Sequence, residues 1–183
     1  MKKTLEKLIN DTEIDHLEEG VFNKIIQNIK ILVPEYTLLH YRYLQSDIKT
    51  AAEEYYKKGD YFAAVQEAFK KYKDKVIEKT NLDDLSDKSI MDKAFGINKL
   101  LSVSKKYKNK GFKFTKHTLE NIESGQASLS VGMVQCCRNV INHEQIVKLK
   151  ESGLFVEKDC LDFLSLLSYL FNKLNQSTKN KFR

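Results

Sequence analysis

The chain has 183 residues, of which 42% are apolar and 31% charged, with a net charge of +6. That length holds one domain with some elaboration, and the balance of residue types excludes overall disorder. One Pro and seven Gly leave too little punctuation for a many-turned β fold, and the cationic surplus admits an anionic partner such as nucleic acid without requiring one.

Residues 1–14 are expected to form a short helix. Asp15 and Glu18 then make a capping box for a second one, in which Leu17, Val21, Ile25, Ile29 and Leu32 recur at helical spacing before Pro34 stops it. A third helix is expected over 38–58 with Leu44, Ile48, Ala51, Ala52 and Tyr55 inward. Gly59 as the residue after the helix and Asp60 as the next N-cap turn the chain into a fourth. Its stripe is Tyr61, Ala64, Val65, Ala68, Phe69, Tyr72 and Val76.

Residues 81–87 read as a polar connection, and Ile90, Met91, Ala94 and Phe95 as a short helix ending near Gly96. Over 101–118 the pattern dissolves into lysines, among them Lys105, Lys106 and Lys110, interleaved with Tyr107, Phe112 and Phe114. This stretch reads as a mobile loop or small hairpin, or as a basic, aromatic-bearing loop that grips single-stranded nucleic acid. Residues 145–157 are a connection. The last helix carries Leu161, Leu164, Leu167, Leu170, Phe171 and Leu174, with Phe163 and Leu166 widening its stripe. It is either a central core helix or one that meets a second subunit. Five or six helices and no convincing strand make an all-α bundle.

Residues 126–143 read as one amphipathic helix. On a wheel of roughly 100° per residue, Arg138, Asn139, Asn142 and His143 fall within an arc of roughly 140° beside Ser128, Gly132, Gln135 and Val131. Leu129, Met133, Val134, Cys136, Cys137, Val140 and Ile141 take the opposite side. Arg138 pairs with Asn142, and Asn139 with His143, at a spacing that stacks each pair on one face. Any soluble helix has a polar side. Here, however, the sequence holds 28 Lys against three Arg (Arg42, Arg138, Arg183). An Arg beside an imidazole and two amides points to a use for a planar, forked, permanent cation.

The order of YYKKGDYFAAVQEAF, SIMDKAF, SGQASLSVGMVQCCRNVINHE and LDFLSLLSYLFNKLN resembles the Ymh-type bacterial family within the HEPN superfamily of α-helical domains. The likeness covers roughly residues 38–176. It leaves 1–37 as an N-terminal helical extension and 177–183 as a polar tail. Its most specific marker is an Arg, an adjacent polar residue and a His a few residues on, here Arg138, Asn139 and His143. The family pattern often has Pro after the Arg-Asn pair, where this chain has Val140, so the helix can continue through the motif.

The resemblance implies a metal-independent endoribonuclease built as a homodimer. Two motif helices would face each other across a shared cleft, in a toxin or anti-phage effector held by an antitoxin or activator. Some relatives only bind nucleotide, RNA or a partner protein, and a purely structural subunit of a defence complex is a third reading. The chemistry suits the residues. RNA carries its own nucleophile, the 2′-OH, so cleavage needs a proton acceptor, for which an imidazole serves. It needs a cation shaped for the phosphorane, for which Arg138 serves, and a group to orient the ring, within reach of Asn139. A second imidazole from a partner copy would protonate the leaving 5′ oxygen, giving a 2′,3′-cyclic phosphate. Asn142, Lys105, Lys106 and Lys110 are expected to bind the substrate.

Other candidates carry less. His16, His40 and His117, with Cys136, Cys137 and Cys160, show no metal-ligand spacing, and no Gly-rich phosphate loop is present. No cofactor or metal is expected. Glu53, Glu54 and Glu67 read as solvated or helix-dipole charges. An odd cysteine count gives no disulfide framework. The start, MKKTLEKLIN, lacks the apolar run of a signal peptide, and polar residues interrupt 161–174. A cytoplasmic protein away from membranes is expected.

Overall fold

A computed structural model describes residues 37–111 and 113–180, except the side chains of residues 37, 108, 109, 141 and 142. The helices expected over 1–14 and 15–33 lie outside the described residues. The elements in chain order are α1 Thr37–Tyr41, α2 Ser46–Lys57, α3 Tyr61–Thr80, α4 Asp87–Ala94, β1 Leu101–Ser102 and α5 Lys105–Asn109. They continue as α6 Lys116–Met133, a π-helical stretch Val134–Asn139, α7 Val140–His143, α8 Ile146–Glu151, α9 Glu157–Asn175 and β2 Thr178–Lys179. The fold is all-α, and among the described residues one antiparallel two-residue pairing sets Leu101 against Lys179 and Ser102 against Thr178.

The helix expected over 38–58 is broken. Tyr43 adopts a left-handed φ of 48°, and the Gln45 side chain accepts from the Ile48 N–H at 3.1 Å, so α2 starts afresh at Ser46. The Gln45 backbone N–H goes to Ser168 Oγ at 2.7 Å, tying the break to α9. The inward stripe of α2 is Ile48, Ala52 and Tyr56, whereas Tyr55 is exposed. Tyr56 can go in because its hydroxyl donates to Glu157 at 2.5 Å.

The turn at Gly59 and Asp60 forms as expected. Gly59 has φ 72°, and Asp60 accepts from the Ala63 N–H at 3.3 Å. Helix α3 is thereby returned along α2, and it packs on α9 as well. Its buried face is Phe62, Ala64, Val65, Ala68, Phe69, Tyr72 and Val76. Tyr61, expected in that stripe, is only half-buried. Leu164, Leu167, Leu170 and Leu174 of α9 are fully buried within the chain, each stabilising the fold by about 1.5–3 kcal/mol. Half-buried Phe163 stacks on Phe155 with ring centres 5.6 Å apart. Part of the apolar excess of α9 is therefore covered inside the chain.

Two stretches read as irregular are organised. Residues 101–118 contain β1, α5 and the N-cap of α6, and 145–157 contain α8. The end of α9 is capped by the Lys79 ammonium, which donates to Leu174 O at 2.7 Å and to Ser177 O at 3.2 Å. Burial draws that amine below its ordinary pKa. Asn180 then donates to Leu100 O at 2.9 Å and to Lys99 O at 2.7 Å, so part of the polar tail is fastened to the domain.

Candidate active site

The helix that carries the motif begins at Lys116, ten residues earlier than the apolar pattern indicates, with Thr115 accepting from the Thr118 N–H at 3.1 Å. The pattern misses this half because its inward face is polar: Glu123, Gln126 and Ser130 are buried beside Leu119 and Met133. Each has partners. Tyr72 and Ser130 share a hydrogen bond at 2.8 Å between hydroxyls. Gln126 Nε2 donates to Tyr72 Oη at 3.2 Å and to Leu170 O at 3.4 Å. Burial pushes the Tyr72 phenol up, against these two partners. The Glu123 carboxylate accepts from Ser102 Oγ at 2.6 Å, Ser104 Oγ at 2.7 Å, Ser104 N at 3.0 Å and Val103 N at 3.1 Å. This anchor organises the lysine-rich stretch.

Beyond Met133 the helix continues as the π-helical stretch and then as α7, ending where Glu144 turns extended. With Val140 rather than Pro, the backbone runs unbroken through the motif. A π-helical turn takes in one residue more than an α-turn, so the even 100° advance expected over 126–143 fails across 134–139. Met133, Val134 and Cys137 face inward as expected, but Leu129 and Cys136 are exposed. Val140, like Phe155, packs against the buried pair Phe62 and Leu149, which seats the end of the motif helix near the start of α3.

Arg138 and Asn139 leave this stretch half-exposed, and His143 is exposed at the helix end. Arg138 Nε lies 3.0 Å from Asp87 Oδ2, and its Nη1 donates to Asn139 Oδ1 at 3.2 Å. Asn139, expected to orient the imidazole, thus has its carbonyl oxygen on the guanidinium. The second oxygen of Asp87 lies 3.5 Å from Lys73 Nζ. Arg138, Asn139 and Asp87 therefore form one constellation, with His143 roughly 7 Å further along the helix axis at the usual rise. The side chain of Asn142 lies outside the described residues.

Residues 42–174 match the family described as Protein of unknown function (Hypoth_ymh). The chain belongs to that family. Comparison with curated proteins and with solved structures gives no match.

In this Hypoth_ymh protein the lysines expected to bind substrate are not gathered at the motif. Lys105 and Lys106 directly follow Ser104, which is bonded to Glu123. Arg138 is fifteen residues beyond Glu123 on the same helix, roughly 20 Å away at the helical rise. Lys105 and Lys110 are exposed there, while Lys106 donates to Gln176 Oε1 and lies over the Tyr107 ring. Lys173 donates to the Tyr107 phenol at 2.8 Å and draws it below its ordinary pKa. A groove of about 550 Å³ lined by Ile97, Phe114, Lys116 and Glu120 opens at this end.

The remaining candidates are ordinary. Glu53, Glu54 and Glu67 pair with Lys57, Lys58 and Lys70, three or four residues further along the chain. His117 bonds Asn121 at 3.3 Å, and His40 packs edge-on against Tyr41. Among the described residues, no group of three or more His, Cys, Asp or Glu clusters as metal ligands would. No helix among them is long and apolar enough to cross a membrane. The functional candidate that sequence reasoning missed is Asp87, which sits at the end of a segment read as connection and shares no motif with Arg138.

Proposed function

We propose that this chain is an RNA-cleaving domain of the HEPN type, acting through Arg138, Asn139 and His143 as a cytoplasmic toxin or anti-phage effector. The observation that supports this most is the Arg138 constellation. In a chain whose default cation is Lys, an Arg is held at Nε by Asp87 and at Nη1 by Asn139 and stays 39% exposed. Such a guanidinium is preorganised for an anion and remains open to it.

In this reading His143 takes the proton from the 2′-OH, which attacks the adjacent phosphorus. The P–O5′ bond breaks as the new ester closes, leaving a 2′,3′-cyclic phosphate and a 5′-hydroxyl. Arg138 stabilises the charge on the phosphorane oxygens, and Asn139 fixes the guanidinium from Nη1. The exposed position of His143 leaves room for the imidazole of a second copy, which would protonate the leaving oxygen in a two-fold homodimer. Lysines at the far end of the motif helix would hold the substrate some nucleotides away from the bond that breaks.

The test is incubation of purified protein with total RNA and a chelator, beside His143→Ala prepared identically. Cleavage by the wild type alone is the expected result. Cleavage by both preparations, or by neither, removes the enzyme reading. Light scattering at micromolar concentration is expected to give a dimer mass, and a monomer contradicts the shared cleft.

A further inference from the structure

Asp87 has no step in the cleavage chemistry, yet it touches the cation on which that chemistry depends. It opens α4, whose N-cap Ser86 accepts from the Ser89 N–H at 3.4 Å. The helix is fixed by buried Ile90, Met91 and Ala94, and by Phe95, whose ring stacks parallel to Tyr72 at 6.4 Å. The carboxylate is therefore carried on a rigid element, and its side chain is only 13% exposed.

The geometry of the pair matters more than its existence. Oδ2 meets Arg138 at Nε, 3.0 Å away, and Oδ1 faces Lys73 at 3.5 Å. A guanidinium has five N–H donors in a fixed fork. The Asp87 carboxylate lies against Nε as an ion pair at 3.0 Å, and Asn139 accepts one hydrogen bond from Nη1. Both N–H groups of Nη2 and the second on Nη1 have no hydrogen-bond partner among the described residues. A carboxylate across both terminal nitrogens would shut an anion out, whereas one at Nε orients the plane and leaves the fork. One carboxylate between two cations also leaves a net positive site, which favours a phosphate.

We infer that Asp87 is a positioning residue for Arg138: it grips Nε so that the outer fork of the guanidinium meets the scissile phosphate. This rests on the reading of residues 138–143 as an RNA-cleaving site. Lys73 holds the second carboxylate oxygen and keeps Asp87 from rotating away.

The experiment compares wild type, Asp87→Asn, Asp87→Glu and Arg138→Lys on a short single-stranded RNA. A second readout is the ¹⁵N–¹H signal of arginine Nε–H groups. Three arginines give at most three such signals, and that of Arg138 is the one missing in Arg138→Lys. Asp87→Asn is expected to lower kcat roughly 10- to 100-fold, as misplacing a catalytic group does, with KM within threefold and the pH optimum unmoved. Asp87→Glu should recover most of the rate. The Arg138 Nε–H signal should be exchange-protected in the wild type and lost in Asp87→Asn. Combining Asp87→Asn with Arg138→Lys should add little to the loss from Arg138→Lys alone.

Unchanged kcat in Asp87→Asn overturns the proposal. So does a loss that follows the melting temperature and that Glu does not restore. A wild type that shows the protected signal, with Asp87→Asn losing it, but cleaves no RNA overturns the cleavage reading and leaves the Asp87 grip as structure alone. A wild type that cleaves RNA without a protected signal overturns the grip and leaves the cleavage reading standing.

Discussion

The two halves of the motif helix treat polar side chains in opposite ways. Over Lys116–Met133, the polar residues Glu123, Gln126 and Ser130 face inward, and partners from β1, α3 and α9 satisfy them. From the π-helical stretch onward, Arg138, Asn139 and His143 face outward or half-outward, and the partners of Arg138 leave its fork open. The same residue classes on one helix thus separate by whether their hydrogen-bonding capacity is used up. A saturated polar group specifies packing. An unsaturated one beside a held cation is available for chemistry.

That contrast can be broken or sharpened by substitution. The largest effect is expected at the open end. His143→Ala should remove RNA cleavage nearly completely while leaving the melting temperature within about 2 °C, because the side chain is exposed. Expression of the wild type in a bacterial host should slow growth, and the variant should relieve it at equal protein level. If His143→Ala unfolds the protein, the imidazole is a strut and the contrast fails there.

Arg138→Lys keeps the charge and loses the fork. Activity should fall roughly 100-fold, as for loss of one oxyanion donor, with the fold intact by circular dichroism. Full activity in the Lys variant reduces Arg138 to a surface charge. At the saturated end the readout reverses. Glu123→Ala strands two hydroxyls and two backbone N–H groups and should cost about 3 kcal/mol of stability, while cleavage per folded molecule changes less than twofold.

The smallest effect concerns thiols. Cys136 is exposed, while Cys137 and Cys160 are buried. Burial pushes both buried thiols up, Cys160 to about 12. At pH 8 one thiol per chain should therefore react quickly with a disulfide reagent, and the other two only on unfolding. Two fast thiols would place Cys137 outside the core.

Legibility in the sequence follows the same line. Where apolar periodicity carries the element, as in α3 and α9, the stripe reads correctly except at the start of α3, where Phe62 rather than Tyr61 is buried, and the Gly59–Asp60 turn reads correctly because its backbone needs those residue types. Where a helix buries polar groups, as α6 does with Gln126 and Ser130, the pattern hides both its start and its inward face. The exposed positions of Leu129 and Cys136 follow from that and from the π-helical stretch, which nothing in the spacing announces. The break before α2 depends on a local Gln45 cap that apolar spacing does not announce, and on a long-range tie to Ser168. Arg138 stands out in sequence because Arg is rare here, whereas Asp87 is one carboxylate among many until the fold brings it to Nε.

The central claim is that the open end of the motif helix cleaves RNA by attack of its own 2′-OH. The most direct test is end-group analysis of a single-stranded RNA oligonucleotide after incubation with the purified wild type in chelator. A matched oligonucleotide carries a 2′-deoxy residue on the 5′ side of the bond that is cut. The account predicts fragments ending in 2′,3′-cyclic phosphate and 5′-hydroxyl, and an uncut bond in the 2′-deoxy oligonucleotide. Intact RNA, or equal cutting with and without that 2′-OH, contradicts it.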